Sequence, residues 1–131
     1  MKKTIIELVK FGFVGIVGFL VDAAIVLFLY EHLGVYGARV ISFTCAVVTT
    51  WLLNRTFTFK GHSHSSGLFN EFIKYFLSMC VGGGANLLCY SLMVSLSSSD
   101  SQDILIATAI GSIVGMVFNF TLSKLLIFKE R

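Results

Sequence analysis

Four long apolar runs constrain this chain more than any other feature. Residues 11–30 are uncharged except for Asp22, and 38–59 carry charge only near their ends, at Arg39 and Arg55. Residues 75–99 and 104–123 carry none. About 20 apolar residues cross a bilayer core as a helix. Lipid offers the backbone no hydrogen-bond partners, so a helix is the default spanning form. A membrane β-barrel would need segments of about 10 residues with alternating polarity, whereas these runs are continuous. The expected fold is an all-α membrane protein with four transmembrane helices. The links "EHLGVYG", "KGHSHSSGLFNEFIK" and "SLSSSDSQD" are short, so neighbouring helices should run antiparallel in a compact bundle.

Composition agrees. Of 131 residues, 56% are hydrophobic and 13% charged, against about 25% charged in an average soluble domain. Such a chain cannot cover itself with polar surface in water. The N-terminal run resembles a signal sequence, but Glu7 and Lys10 interrupt its start and it continues past Asp22, so a retained helix is expected. Cys45, Cys80 and Cys89 all lie inside apolar runs and read as small fillers rather than redox or metal groups.

Charge position says more than the net +3. With four crossings, Lys2, Lys3, Lys10, Arg55, Lys60, Lys74, Lys124, Lys129 and Arg131 fall on one side. Only Arg39 falls on the other, with Glu31, Asp100 and Asp103. The positive-inside rule then puts both termini in the cytoplasm. No basic run is long enough for a nucleic-acid interface, so no nucleic-acid partner is expected.

The chain also repeats itself. "ELVKFGFVGIVGFLVDAA" from Glu7 aligns with "EFIKYFLSMCVGGGANLL" from Glu71 at an offset of 64, which matches Lys10 with Lys74, Gly18 with Gly82, and Asp22 with Asn86. The second helices align at an offset of 69, matching Asn54 with Ser123, Arg55 with Lys124, and Phe59 with Phe128. One domain over 1–131 is expected, with repeats at about 7–60 and 71–129. Each repeat crosses twice, so the two are parallel hairpins related by an axis along the membrane normal, as in parallel transporter repeats. Ser42, Ala46, Thr50 and Asn54 form a small and polar stripe, echoed by Gly111, Gly115, Asn119 and Ser123. Residues four apart share a helix face. Close helix packing and the lining of a polar path are both open for this stripe.

The four-helix plan, the acid in the first helix and "LLNRTFTF" closing the second resemble the GtrA-like family, over about residues 8–129. The second copy ends in Ser123-Lys124 instead of Asn-Arg. The resemblance implies movement of polyprenyl-phosphate-linked sugars across the bacterial inner membrane, typically an undecaprenyl-phosphate hexose for O-antigen or other envelope glycosylation. It implies, as a second role, an accessory or anchoring partner of a membrane glycosyltransferase.

Such a task needs cations for a phosphodiester and hydrogen-bonding groups for a sugar, because unpaired buried charge costs several kcal/mol. Lys10, Arg55, Lys74 and Lys124 lie near the helix ends on the basic side. Arg55 suits a phosphate best through its planar fork, with Asn54 beside it. Asp22 lies deep in its run, where an ionisable group is functional by default. It could bind a proton, pair with a Lys or Arg, or accept hydrogen bonds from sugar hydroxyls. Asn86 repeats its polarity without its charge, and Asn119 extends the polar stripe. Arg39 is placed to receive the phosphate after crossing.

His62 and His64 read as a solvated loop. No nucleophile-and-base pair, nucleotide motif, metal cluster or cofactor motif is evident, so a non-enzymatic protein without a cofactor is expected. Membrane lipids surround it, and four short helices enclose so little volume that a homo-oligomer is expected. A third reading, a proton-coupled exporter of small cations, would use Asp22 but gives no role to the cations on the basic side.

Overall fold

A computed structural model describes residues 2–64, 67–97 and 101–129. The chain divides into two compact units, one built on Met1–Ser63 and the other on His64–Lys129. Each is a helical hairpin.

In the first unit, helix α1 (Lys2–Leu53) is helical throughout except at Gly34, whose φ of 69° and ψ of 169° are non-helical. That conformation is open essentially to glycine alone. A π-helical turn, Asn54–Thr58, follows α1 and is closed by the Phe59 amide donating to the Asn54 carbonyl at 2.8 Å. The second unit holds α2 (Leu68–Leu96), α3 (Ser101–Leu122) and a matching π-helical turn, Ser123–Ile127. Ser63–His64 and Phe128–Lys129 are two-residue strands.

Four segments have the length and composition to cross a membrane: Lys2–Leu29, Tyr36–Thr58, Leu68–Leu96 and Ile106–Ile127. Large apolar side chains such as Phe13, Phe19, Phe28, Leu87 and Ile113 point outward and are well exposed. In water such a surface would aggregate, whereas in lipid it is solvated. The chain is a multi-pass, all-α membrane protein, in agreement with the fold read from its sequence.

Several boundaries differ from the sequence reading. The first and third helices begin earlier than residues 11 and 75, because Glu7, Lys10, Glu71 and Lys74 are good helix formers that extend the apolar run into the interface. The seven-residue link 31–37 shrinks to a break at Gly34. Residues 98–100 of the Ser-rich link, including Asp100, and Arg131 at the C-terminus lie outside the described residues.

The seams inside the two hairpins correspond position by position. Phe11 and Phe59 have ring centroids 6.2 Å apart, and their counterparts Tyr75 and Phe128 are 6.4 Å apart. A Cβ on Gly18 would overlap the Thr50 methyl, and a Cβ on Gly82 would overlap the Asn119 amide. Thr50 and Asn119 are 69 residues apart, the offset read from the sequence. Gly111 and Gly115 bring the backbones close: a Cβ on Gly115 would lie 2.8 Å from the Gly82 carbonyl oxygen. Of the two roles open for the small stripe, close packing within each hairpin is the one the contacts occupy. Gly15, Gly83 and Gly84 touch nothing in this way.

Candidate functional site

An ion pair between the two spans of the first hairpin joins Asp22 and Arg39. Asp22 is on the helix before the break and Arg39 on the helix after it. Folding back at Gly34 brings them together, and Arg39 Nη1 donates to Asp22 Oδ2. Ser42 lies one turn beyond Arg39, and its Oγ donates to Asp22 Oδ1 at 2.7 Å. The same hydroxyl lies 3.1 Å from the Arg39 carbonyl oxygen. Both carboxylate oxygens therefore hold a donor. The Asp22 side chain is only 15% exposed, whereas Arg39 is 58% exposed. The cluster is thus an inward anion met by a cation with one open side. Of the roles open for Asp22, pairing with Arg39 is the one observed. Arg39, the single basic residue expected on its side, is part of a triad with Asp22 and Ser42.

The opposite end of the first hairpin carries Lys10, Asn54 and Arg55. Lys10 Nζ lies 4.8 Å from the centroid of the Phe57 ring, a cation–π contact that holds the ammonium at the interface. Arg55 is half-buried on the π-helical turn. Asn54 is 1% exposed, and its Oδ1 accepts from the Thr58 hydroxyl at 2.7 Å. The contact observed for Asn54 is this bond within the turn. Its amide is buried and helps close the turn that carries Arg55, as π-turns commonly do at functional places.

The sequence reading missed a pair at this end. Glu7 and His62 are both buried, with His62 Nε2 3.4 Å from Glu7 Oε1. The His62 ring packs edge-on to Phe59 at 5.5 Å. The reading of His62 as a solvated loop residue is therefore wrong: the chain after the π-turn folds back and seats the imidazole over the helix start. His64's side chain lies outside the described residues. The one available signal was the match of Glu7 with Glu71, which is also buried.

The second hairpin offers polarity without charge at the corresponding level. Asn86 stands where Asp22 does, and a Cβ on Gly111 would lie 2.5 Å from Asn86 Oδ1. Gly111 replaces Ser42, and Thr108 falls at the position of Arg39. Toward the other end, Asn119 Oδ1 and Ser123 Oγ are buried without a hydrogen-bond partner among the described residues. Lys124 Nζ sits 5.9 Å from the Phe120 ring centroid, and Lys74 is exposed. Thus Asp22 and Arg39 meet in one cluster, and Lys10, Asn54 and Arg55 lie at the far end of the same hairpin. Asn86, Asn119, Lys74 and Lys124 belong to the second hairpin.

Among the described residues no group of three or more metal-ligating side chains comes together. No curated protein matches the chain. A family model described as "GtrA/DPMS, transmembrane domain" matches residues 10–128, which takes in both hairpins and every residue of the two clusters except Glu7. That match points to membrane work related to glycosyl-phosphate lipids, in a family generally of the translocase type. The chain belongs to the GtrA/DPMS transmembrane-domain family.

Proposed function

We propose that the protein is a non-enzymatic translocase of a polyprenyl-phosphate-linked hexose. The expected cargo is undecaprenyl-phosphate glucose, moved across the bacterial inner membrane for glycosylation of envelope polysaccharide. The observation that carries this reading is the Asp22–Arg39–Ser42 cluster within the first hairpin. Ionisable side chains at membrane depth are costly and mark substrate paths, and a lipid-linked phosphodiester is a ligand that needs a cation there.

On this reading both termini are cytoplasmic, as the basic residues imply, and the chain is one domain made of a duplicated hairpin. Arg55 and Lys10, which belong to the same end of the hairpin, load the phosphate at the cytoplasmic face. Lys74 and Lys124 do the same in the second repeat. Arg39 receives the phosphate near the outer face, and the amides of Asn86 and Asn119 serve the sugar hydroxyls. Surrounding lipid and further copies of the chain complete the path.

Reconstitution into vesicles with defined lipid-linked hexoses tests the reading directly. Outward exposure of the sugar should depend on the protein and fall in Arg39→Gln and Arg55→Gln. A protein serving only to anchor a glycosyltransferase would leave exposure at the lipid-only rate. Partner activity would then survive both substitutions.

A further inference from the structure

We infer that Asp22 is a built-in counter-ion, which occupies the anion site on Arg39 until a phosphate ester displaces it. The inference rests on the reading of Arg39 as a phosphate receiver and adds how that site is kept selective.

Each Asp22 oxygen takes one donor, Oδ2 from the Arg39 guanidinium and Oδ1 from the Ser42 hydroxyl. A guanidinium fork and a hydroxyl are also the donors that a phosphate oxygen pair recruits. Asp22 thus stands in for the ligand. The exposures set the direction of exchange: Asp22 is tucked inward at 15%, while 58% of the Arg39 side chain remains open. A larger anion can approach the guanidinium from its open side without the helices parting.

An uncompensated arginine at this depth would be costly, and it would attract every anionic headgroup in the leaflet. The carboxylate removes both problems. Any anionic headgroup must then compete with a partner already in place. The second hairpin supports a role specific to charge. At the same depth Asn86 packs against Gly111 with no charged residue at position 108. An amide is therefore sufficient for packing, and the carboxylate in the first hairpin answers to Arg39.

The test is equilibrium binding to the full chain in phosphatidylcholine nanodiscs. Two probes are used, a short-chain prenyl-phosphate glucose and inorganic phosphate. Asp22→Asn should bind the prenyl probe about tenfold more tightly than the native chain, since close charge pairs couple by at least that factor. Asp22→Ser, which keeps a hydroxyl partner for Ser42, should show the same gain and guards against a folding defect in either variant alone. The gain should vanish in Asp22→Asn/Arg39→Gln. Unchanged or weaker binding in both Asp22 variants, or a gain that survives loss of Arg39, would overturn the inference. A gain for inorganic phosphate with no binding of the prenyl probe keeps the counter-ion role and removes the lipid-linked-sugar reading. Binding of neither probe by any variant removes both.

Discussion

The two hairpins share a seam but not a chemistry. Aromatic pairs, glycine contacts and π-turns recur at matched positions. In the first hairpin, the polar side chains at positions 22, 42, 50 and 54 are engaged. Asp22 holds Arg39 and Ser42, Thr50 donates to the Val47 carbonyl at 3.1 Å, and Asn54 accepts from Thr58. In the second, the matched positions carry Asn86, Asn119 and Ser123, and the last two leave an oxygen without a partner among the described residues. Close packing at the seam is common to both copies. Among the described residues the charge triad is an addition to that packing seen in the first copy.

The comparison can be broken most sharply at Arg39. Arg39→Gln should cut transport of the lipid-linked hexose in reconstituted vesicles by about tenfold or more. Thr108→Gln, at the matched position, should leave it within about twofold of native. Equal losses would mean that the two hairpins do the same work.

A charge transplant comes next. Asn86→Asp places a carboxylate in the second hairpin without the matched arginine, at a cost of about 3 kcal/mol. Adding Thr108→Arg should recover much of that stability, read as the thermal midpoint in detergent. No recovery would show that Ser42, replaced there by Gly111, is essential to the pair.

The glycine seams differ too. Gly115→Ala sets a methyl against the Gly82 carbonyl and should cost about 1–3 kcal/mol. Gly84→Ala meets nothing and should be neutral or slightly stabilising.

The smallest contrast lies at the π-turns. Asn54→Ala leaves the Thr58 hydroxyl without its acceptor in a buried place and should cost about 1–2 kcal/mol. Ser123→Ala removes an unsatisfied hydroxyl and should be neutral or stabilising by under about 1 kcal/mol. Thermal unfolding of the two variants side by side reads the difference.

Length and hydropathy were enough to read four helices, because lipid leaves the backbone few other choices. The offsets 64 and 69 were legible through polar matches such as Glu7 with Glu71. Asp22 stood out because an acid in an apolar run has few ordinary explanations. Its partner did not, because a basic residue near a helix end reads as a boundary signal. Only the tight reversal at Gly34 turns positions 22 and 39 into neighbours. The bond from Thr58 to Asn54 was not legible either, because an amide beside an arginine gives no sign of the π-turn that engages it. The Glu7–His62 pair depended on how the chain after residue 58 doubles back, and local composition there resembles any polar link.

The reversal at Gly34 also bears on how the protein enters its membrane. Asp22 precedes the turn by twelve residues and Arg39 follows it by five, so closing the turn is what joins them. Inserted singly, the first helix would carry Asp22, and an acid at the centre of a bilayer costs about 2.5–3.5 kcal/mol. Inserted as a closed hairpin, the pair crosses as a neutral unit. The first two helices should therefore partition from the translocon together, and a nascent chain stalled before Arg39 should integrate its first helix poorly.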